Sequence, residues 1–557
     1  MGALAGILYG MVAVVLSRLL IRYISVPVGA VMPQGEEIAR ILAQLKNARL
    51  ASPWAVLALG ALLGGGYGWM IRRRRKKLSR ACALWLPVLV VIVPVLVFFT
   101  GINGVYPYAV CFPKDESRVY ETKTFADRGD VWNFGFGRRQ IIPENNGQPL
   151  YIAGYNNGLE ITGVLDYCEA RAVWLDTGGE GILLIGIDTI GLDSGTVAAI
   201  RERVGDIPGC AAVNVYSTHS HASVDTLGLW GHLAVNGKND AYMQALIDAA
   251  GEAAQEAAAN RKAGTLHFGK IATPDMFRDS RIPQMYDENL YQLRFSGEEG
   301  GLRLFFYGAH PEALRSENSL LSRDFPGILC DRVTEETGDD TLFLPGAIGG
   351  LIMTRDFMGE NFDGVENLKI TGDKLVEYAL SITDEREISP ELAMGSRKFT
   401  VPMDNITFLL CKALGILNHT ALRQESATGY GVVTELGVLK LGGITVALIP
   451  GELFPELAYG YLYGDANPNQ ENPLPLYQIA GKYSTEKLLV VGLANDEIGY
   501  IVSPSDYLVN EEMPYLERIV DYKGEDHYEE TVSVGPKCAW AVADTFGQVL
   551  ADMEACG

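Results

Sequence analysis

The chain has 557 residues and a formal charge of −22, from 46 basic and 68 acidic side chains. Up to Gly101 twelve basic residues face only two acidic ones, so the remainder holds 34 basic and 66 acidic residues and a formal charge of −32. A surface so negative repels phosphate backbones and argues against nucleic acid as a partner, while the length leaves room for a large core and more than one unit.

The first hundred residues have the composition of a membrane region. Residues 82–102, CALWLPVLVVIVPVLVFFTGI, carry no charge and are long enough to cross a hydrocarbon core of about 30 Å. Residues 54–71, WAVLALGALLGGGYGWMI, form a weaker span that ends in RRRRKK, a run expected to stay cytoplasmic. The stretch from Ala3, ALAGILYGMVAVVLSRLL, is a third span or a signal-like segment, without the basic residues that usually precede a cleavable signal. The expected organisation is two or three transmembrane helices within residues 1–102, a linker over 103–130, and a large domain over 131–557 on the extracellular side of the cell membrane. Of the eight cysteines, Cys82 falls in the last span. The odd number beyond it predicts at least one free thiol or an intermolecular bridge, and none has metal-binding spacing.

From Val131 onward, apolar runs of strand length alternate with helical patterns. GILLIGIDTIGL precedes a helical SGTVAAIRERV, and AAVNVYSTHS is followed by the alanine-rich helical stretch AYMQALIDAAGEAAQEAAANRKAG. LRLFFYGAHPE is the next strong strand, and VVTELGVLKLGGITVALIPGE reads as a hairpin turning at Gly-Gly. KLLVVGLANDEIGY closes the series. Strands alternating with helices, with a hairpin among them, predict an α/β domain with a mixed β-sheet and flanking helices. No internal repeat or low-complexity tract interrupts it.

Four of the apolar runs stop at side chains able to bind a metal. They end at His219 and His221 in YSTHSHAS, at His310 in YGAHPE, at Glu452 in IPGE, and at Tyr500 in DEIGY. In an extended backbone alternate side chains share a face, so His219 and His221 point the same way. Loops beyond strand ends also build the crevices of α/β sheets. Each residue has a plainer reading as well. A histidine at a strand end is often a cap, Glu452 suits the start of a helix at FPELAYGYL, and Tyr500 suits a half-buried aromatic. Together, two imidazoles, a carboxylate and a phenol make a nitrogen and oxygen set that zinc accepts.

From GRRQIIPENNGQPLYIAGYNNG to HYEETVSVGP the sequence resembles the neutral, non-lysosomal ceramidases, zinc amidases that cleave the N-acyl bond of ceramide. STHSHAS is similar to the family's Thr-His-Thr-His-Ser-Gly-Pro, YGAHPEALRSENSLLSRDFPG to its second histidine segment, IPGELF to its Pro-Gly-Glu segment, and DEIGYIVSPSDY with HYEE to its two tyrosine segments. The resemblance implies Zn2+ held by His219, His310, Glu452 and Tyr500, with His221 and Tyr528 beside the reacting amide. It gives Arg281, in FRDSRIP, a part in binding the substrate's polar head; the other reading of Arg281 is a surface ion pair with Asp279 or a neighbour. Asp188 and Asp324 fall at family positions that support the site. Zinc lowers the pKa of bound water from about 15.7 toward roughly 7, which suits amide hydrolysis at neutral pH, and His221 would serve as general acid for the leaving amine.

The resemblance breaks at one segment. Where the family has Asn-Ala-Gly-Asp-Val-Ser-Pro, this chain has GAIGGLIMT, with Gly350 at the aspartate and Ile352 at the catalytic serine. Thr354 lies two residues further on. The expectation is a membrane-anchored zinc hydrolase acting on ceramide, a related lipid or another N-acyl amide. The alternatives are a non-catalytic metal- or lipid-binding domain of the same fold, and a zinc esterase or peptidase with a soluble substrate.

Overall fold

The computed structural model describes residues 120–556, apart from 233–235, 361 and 414. The membrane spans expected within residues 1–102 lie outside the described residues. Among the described residues no helix is long and apolar enough to cross a membrane.

In chain order the principal strands are β1 (Lys123–Arg128), β2 (Trp132–Gln140), β3 (Glu169–Asp176), β4 (Gly181–Ile187), β5 (Cys210–Ser217), β6 (Lys262–Ala272), β7 (Asn289–Gly297), β8 (Gly300–Tyr307), β9 (Asp340–Pro345), β10 (Glu385–Ile388), β11 (Glu391–Met403), β12 (Thr420–Arg423), β13 (Tyr430–Leu441), β14 (Ile444–Leu448) and β15 (Lys487–Val491). The longer helices used below are α1 (Ser194–Val204), α2 (Asp240–Ala259), α3 (Asp324–Thr337), α4 (Gly364–Leu380) and α5 (Cys538–Cys556). They build two sheets where the sequence suggests one. The larger has nine strands in the order β9-β8-β7-β6-β2-β3-β4-β5, with β10 beside β6; the smaller has six, β1-β11-β13-β14-β15, with β12 beside β13. Pairing is mixed: β8–β9, β4–β5 and β14–β15 are parallel and the other ladders antiparallel. The strand β1 lies in the last part of the stretch expected to be a linker, paired along its length with β11.

Side-chain alternation explains the layering. Val173 and Leu175 of β3, Ile182 and Leu184 of β4, and Leu302 and Leu304 of β8 point inward to meet Leu439, Leu441, Val446, Leu448, Leu489 and Val491 of the smaller sheet. The intervening residues, such as Trp174, Leu183 and Ile185, face α1 and α2, while Phe305 and Phe343 face α3 and α4. On the far side, Val401, Val432 and Val438 of the smaller sheet meet Val542, Phe546 and Val549 of α5. The result is a four-layer helix–sheet–sheet–helix stack in which β3 and β4 are buried at every residue.

Local chemistry sets the boundaries. The Asp193 carboxylate caps α1 by accepting from the Thr196 N–H, and the Asn239 side chain accepts from the Ala241 and Tyr242 N–H groups at the start of α2. Ala253 and Ala257 of α2 lie so close to β2 that a Cβ at Gly135 would come within 2.0 Å of the Ala257 carbonyl oxygen, and one at Gly137 within 2.3 Å of that of Ala253. The β13–β14 hairpin turns through Gly442 at φ 53°, with Leu441 opposite Ile444. Cys168, Cys210, Cys330, Cys538 and Cys556 are free thiols.

Candidate metal centre

The strand-end residues meet at one end of the stack. Beyond β5 the chain turns sharply, with His219 at φ 69° in the left-handed region, and its N–H donates to the Thr189 carbonyl over 2.9 Å. Its Nδ1 lies 2.6 Å from the Ile190 carbonyl oxygen. A carbonyl can only accept, so Nδ1 carries the proton and Nε2 presents a lone pair. Beyond β8, His310 repeats the device: its N–H and its Nδ1 both reach the Ile352 carbonyl oxygen, at 3.0 and 2.7 Å. Both rings are therefore set in the tautomer that a metal requires.

The free nitrogens converge. His310 Nε2 lies 3.0 Å and His219 Nε2 3.5 Å from the same Glu452 oxygen, Oε2, and His221 Nε2 lies 3.2 Å from His219 Nε2. One ring nitrogen from each of His219, His221 and His310 falls within 4.8 Å of the others. Donors about 2.0–2.1 Å from a tetrahedral zinc stand roughly 3.3 Å apart, so these spacings fit that ion. The nine-stranded sheet supplies the histidines and the six-stranded sheet, just past β14, supplies Glu452. Tyr500 is the direct neighbour of Glu452 in a short parallel ladder, and its hydroxyl lies 2.9 Å from that of Tyr528.

The site is nearly dry, and burial dominates its electrostatics. Side-chain exposure is 6% for His219, 3% for His310 and 8% for Glu452, against 12% for His221. Burial pushes His219 down to about 3, and the Glu452 charge only partly opposes it. Burial also drives His221 well below the usual imidazole range, aided by the positive charges of His310 and Arg315. At His310 burial acts in the same sense, but the hydrogen bond and charge of Glu452 outweigh it and the net shift is upward. Tyr500 is held well above the phenol range by burial and then by Glu452; Tyr528 is raised as well, by burial and then by Glu529.

Arg281 is neither on the surface nor free. Its side chain is 4% exposed, lies 3.4 Å from Glu456 and 3.8 Å from Asp279, and stacks on Phe454 with its guanidinium carbon 4.2 Å from the ring centre. Gly350, at φ 91°, makes room for it: a Cβ there would meet the Arg281 Nε at 2.4 Å. Ile352 is fully buried among Phe277, Tyr307 and Phe325, so its side chain belongs to the core and only its carbonyl serves the site. Thr354 is buried too, with an unpartnered hydroxyl. Asp188 accepts from the Thr218 hydroxyl at 3.2 Å, next to His219, and Asp324 accepts from the Ala313 and Leu314 N–H groups in the loop after His310.

Several neighbours carry no signal in the sequence. Glu312 lies 3.6 Å from His221 Nδ1 and accepts from Tyr155, whose ring packs on His221. Gly154, at φ 106°, admits His221 so closely that a Cβ would come within 2.5 Å of its Nδ1. Glu312 stands two residues after His310 in AHPE, and the turn there brings it back to His221.

No family model matches the chain, and no curated protein matches it. Among solved structures, it is similar to the neutral ceramidase from Pseudomonas aeruginosa, with a TM-score of 0.60 and 15% identity over 76% of this chain and 75% of that one. A ceramidase complexed with C2 matches equally well, with a TM-score of 0.60 and 14% identity over 76% of each chain. At this identity the likeness is one of fold: the described domain is a mixed α/β, sheet-rich body with the ceramidase architecture.

Proposed function

We propose that this ceramidase-fold chain is a zinc-dependent hydrolase of N-acyl lipids, anchored by its N-terminal segments with the large domain outside the cell. The observation that carries the reading is the convergence of His219, His221, His310 and Glu452, with two of the imidazoles locked by backbone carbonyls in the metal-binding tautomer. His219, His310, Glu452 and Tyr500 would hold the ion. Zinc bound there would polarise an amide carbonyl and bring the pKa of water from about 15.7 toward roughly 7. His221 Nε2 faces the same centre, and burial keeps the ring neutral, so it can take up a proton and hand it to the leaving nitrogen. Glu312 on its Nδ1 side stabilises the imidazolium that this produces. Tyr528 is held protonated by burial and offers an O–H donor to a substrate oxygen.

A non-catalytic metal- or lipid-binding role is the second reading, favoured by the core-facing Ile352 where the family has its serine. Metal analysis of the purified full chain, combined with hydrolysis assays on a panel of N-acyl lipids and simple esters, separates the two. The hydrolase reading expects bound zinc and turnover that His219→Ala and His310→Ala each abolish. Bound zinc without turnover on any amide or ester would leave only the binding role, and a chain that holds no zinc would overturn the hydrolase reading and the metal-binding one, leaving lipid binding alone.

A further inference from the structure

A second group of metal donors lies apart from the histidine centre, in the segment between Pro504 and Glu530. One carboxylate oxygen each from Asp506 and Glu525 and a ring nitrogen of His527 lie within 4.8 Å of one another, and the three residues are 5–7% exposed. His527 Nδ1 donates to the Glu530 Oε1 at 2.9 Å, which leaves Nε2 as the ring atom open to a metal. Burial opposes charge on the ring, but the hydrogen bond and charge of Glu530 hold the metal-free ring up to about 9, so an ion would displace the Nε2 proton. That Nε2 has no hydrogen-bond partner, and neither do Glu525 Oε2, Asp521 Oδ2 and Glu530 Oε2, all of them shut off from solvent. Asp521 Oδ2 itself lies 4.0 Å from His527 Nε2. The other Glu525 oxygen accepts from the Ile282 N–H at 3.1 Å, so the carboxylate is held with one oxygen free.

Four carboxyl groups thus surround one imidazole in a dry site. The positive charges acting on Glu525 are His527 and Arg281, and Arg281 is already paired with Glu456. Buried charge of one sign needs compensation, and a divalent cation supplies it in one step. We propose that Asp506, Glu525 and His527, with Asp521 next to them, form a second site for a divalent cation. Imidazole nitrogen mixed with carboxylate oxygen suits a first-row transition ion such as Zn2+ or Mn2+ better than Ca2+, which takes oxygen donors. The ion would brace rather than react. It would join the turn at Pro504–Asp506 to the short hairpin of Ile519–Val520 and Asp526–His527, and through Glu525 and Ile282 it would steady the turn that carries Arg281. Burial accords with this, pushing the metal-free Asp506 up to about 6 and Glu525 up to about 7.

The test separates the two centres. A full-length His219→Ala/His310→Ala protein, stripped with chelator and dialysed against ZnCl2 or MnCl2 alone, is assayed for bound metal by atomic emission and for Tm. The expected result is about one retained equivalent per chain and a Tm that rises with added metal; Glu525→Gln with His527→Gln in the same background removes both. A natively folded His219→Ala/His310→Ala protein that retains no metal, or retention that Glu525→Gln and His527→Gln leave unchanged, would overturn the proposal. Should that background not fold, Glu525→Gln with His527→Gln in the wild-type chain decides: a fall in bound zinc from about two equivalents to about one supports the site, and an unchanged content sinks it.

Discussion

At Ile352 the side chain and the backbone of one residue serve different ends. The carbonyl orients His310, while the sec-butyl group fills the core beside Phe277 and Tyr307. Ile352→Ser should therefore cost stability, about 3 kcal/mol from a lost apolar side chain and a buried hydroxyl, without creating a nucleophile. Denaturant unfolding and the N-acyl lipid assay would show a lower midpoint and no gain in turnover. Gly350→Ala is expected to destabilise through both its left-handed φ and the contact with Arg281, by roughly 1–3 kcal/mol on the same measurement. Asp188 supplies a pH dependence. Burial pushes its carboxyl up to about 7 against the pull of Arg323 and Arg171, so the folded state binds that proton more tightly than the unfolded chain does. Its contribution to stability is full below about pH 4 and is lost as the pH rises through about 7. Wild type should lose stability between pH 5 and pH 8, and Asp188→Asn should lose less, by on the order of 1–3 kcal/mol in urea titrations at the two pH values. The metal-binding types at 219, 310 and 452 were legible as residues. Their orientation was not, because it depends on the carbonyls of Ile190 and Ile352, and every residue has a carbonyl.

Elements were most legible where their pattern is local. The runs at β4, α1, β5, α2 and the β13–β14 hairpin each announce themselves through apolar spacing, a capping side chain or a Gly-Gly turn. The division into two sheets is invisible at that scale, because β11 with β13 and β6 with β7 differ from each other only in the partners they meet across the chain. Likewise the alanines of α2 marked a helix, but no local pattern tells that the glycines of β2 receive it. That contact is testable: Gly135→Val puts a branched side chain where the Ala257 carbonyl oxygen already sits. It should lower stability by roughly 1–3 kcal/mol or prevent folding, seen as a lower urea midpoint or as insoluble protein. The same substitution at Gly147, which has nothing within 4 Å of a Cβ, serves as a comparison for strain of backbone origin alone, since its φ is 73°.

For the whole molecule, the arrangement of donors matters more than their number. His219 and His310 follow strands of the nine-stranded sheet, while Glu452 and Tyr500 follow strands of the six-stranded one, so on the proposed ligand set a bound ion ties the two sheets at one end. Chelation should therefore lower the Tm of the entire domain in a single cooperative transition, and calorimetry before and after zinc return would show it. A chain whose zinc-loaded and stripped forms melt alike would remove that coupling. The order of those donors along the chain also has a consequence for synthesis. A ribosome extends from the N-terminus, so a growing chain that has completed the larger sheet's strands offers imidazoles alone; the carboxylate and phenol emerge more than 130 residues after His310. Tight capture of the ion must wait until Glu452 and Tyr500 have been made, and nascent chains arrested before Glu452 should release zinc readily where full-length ones keep it.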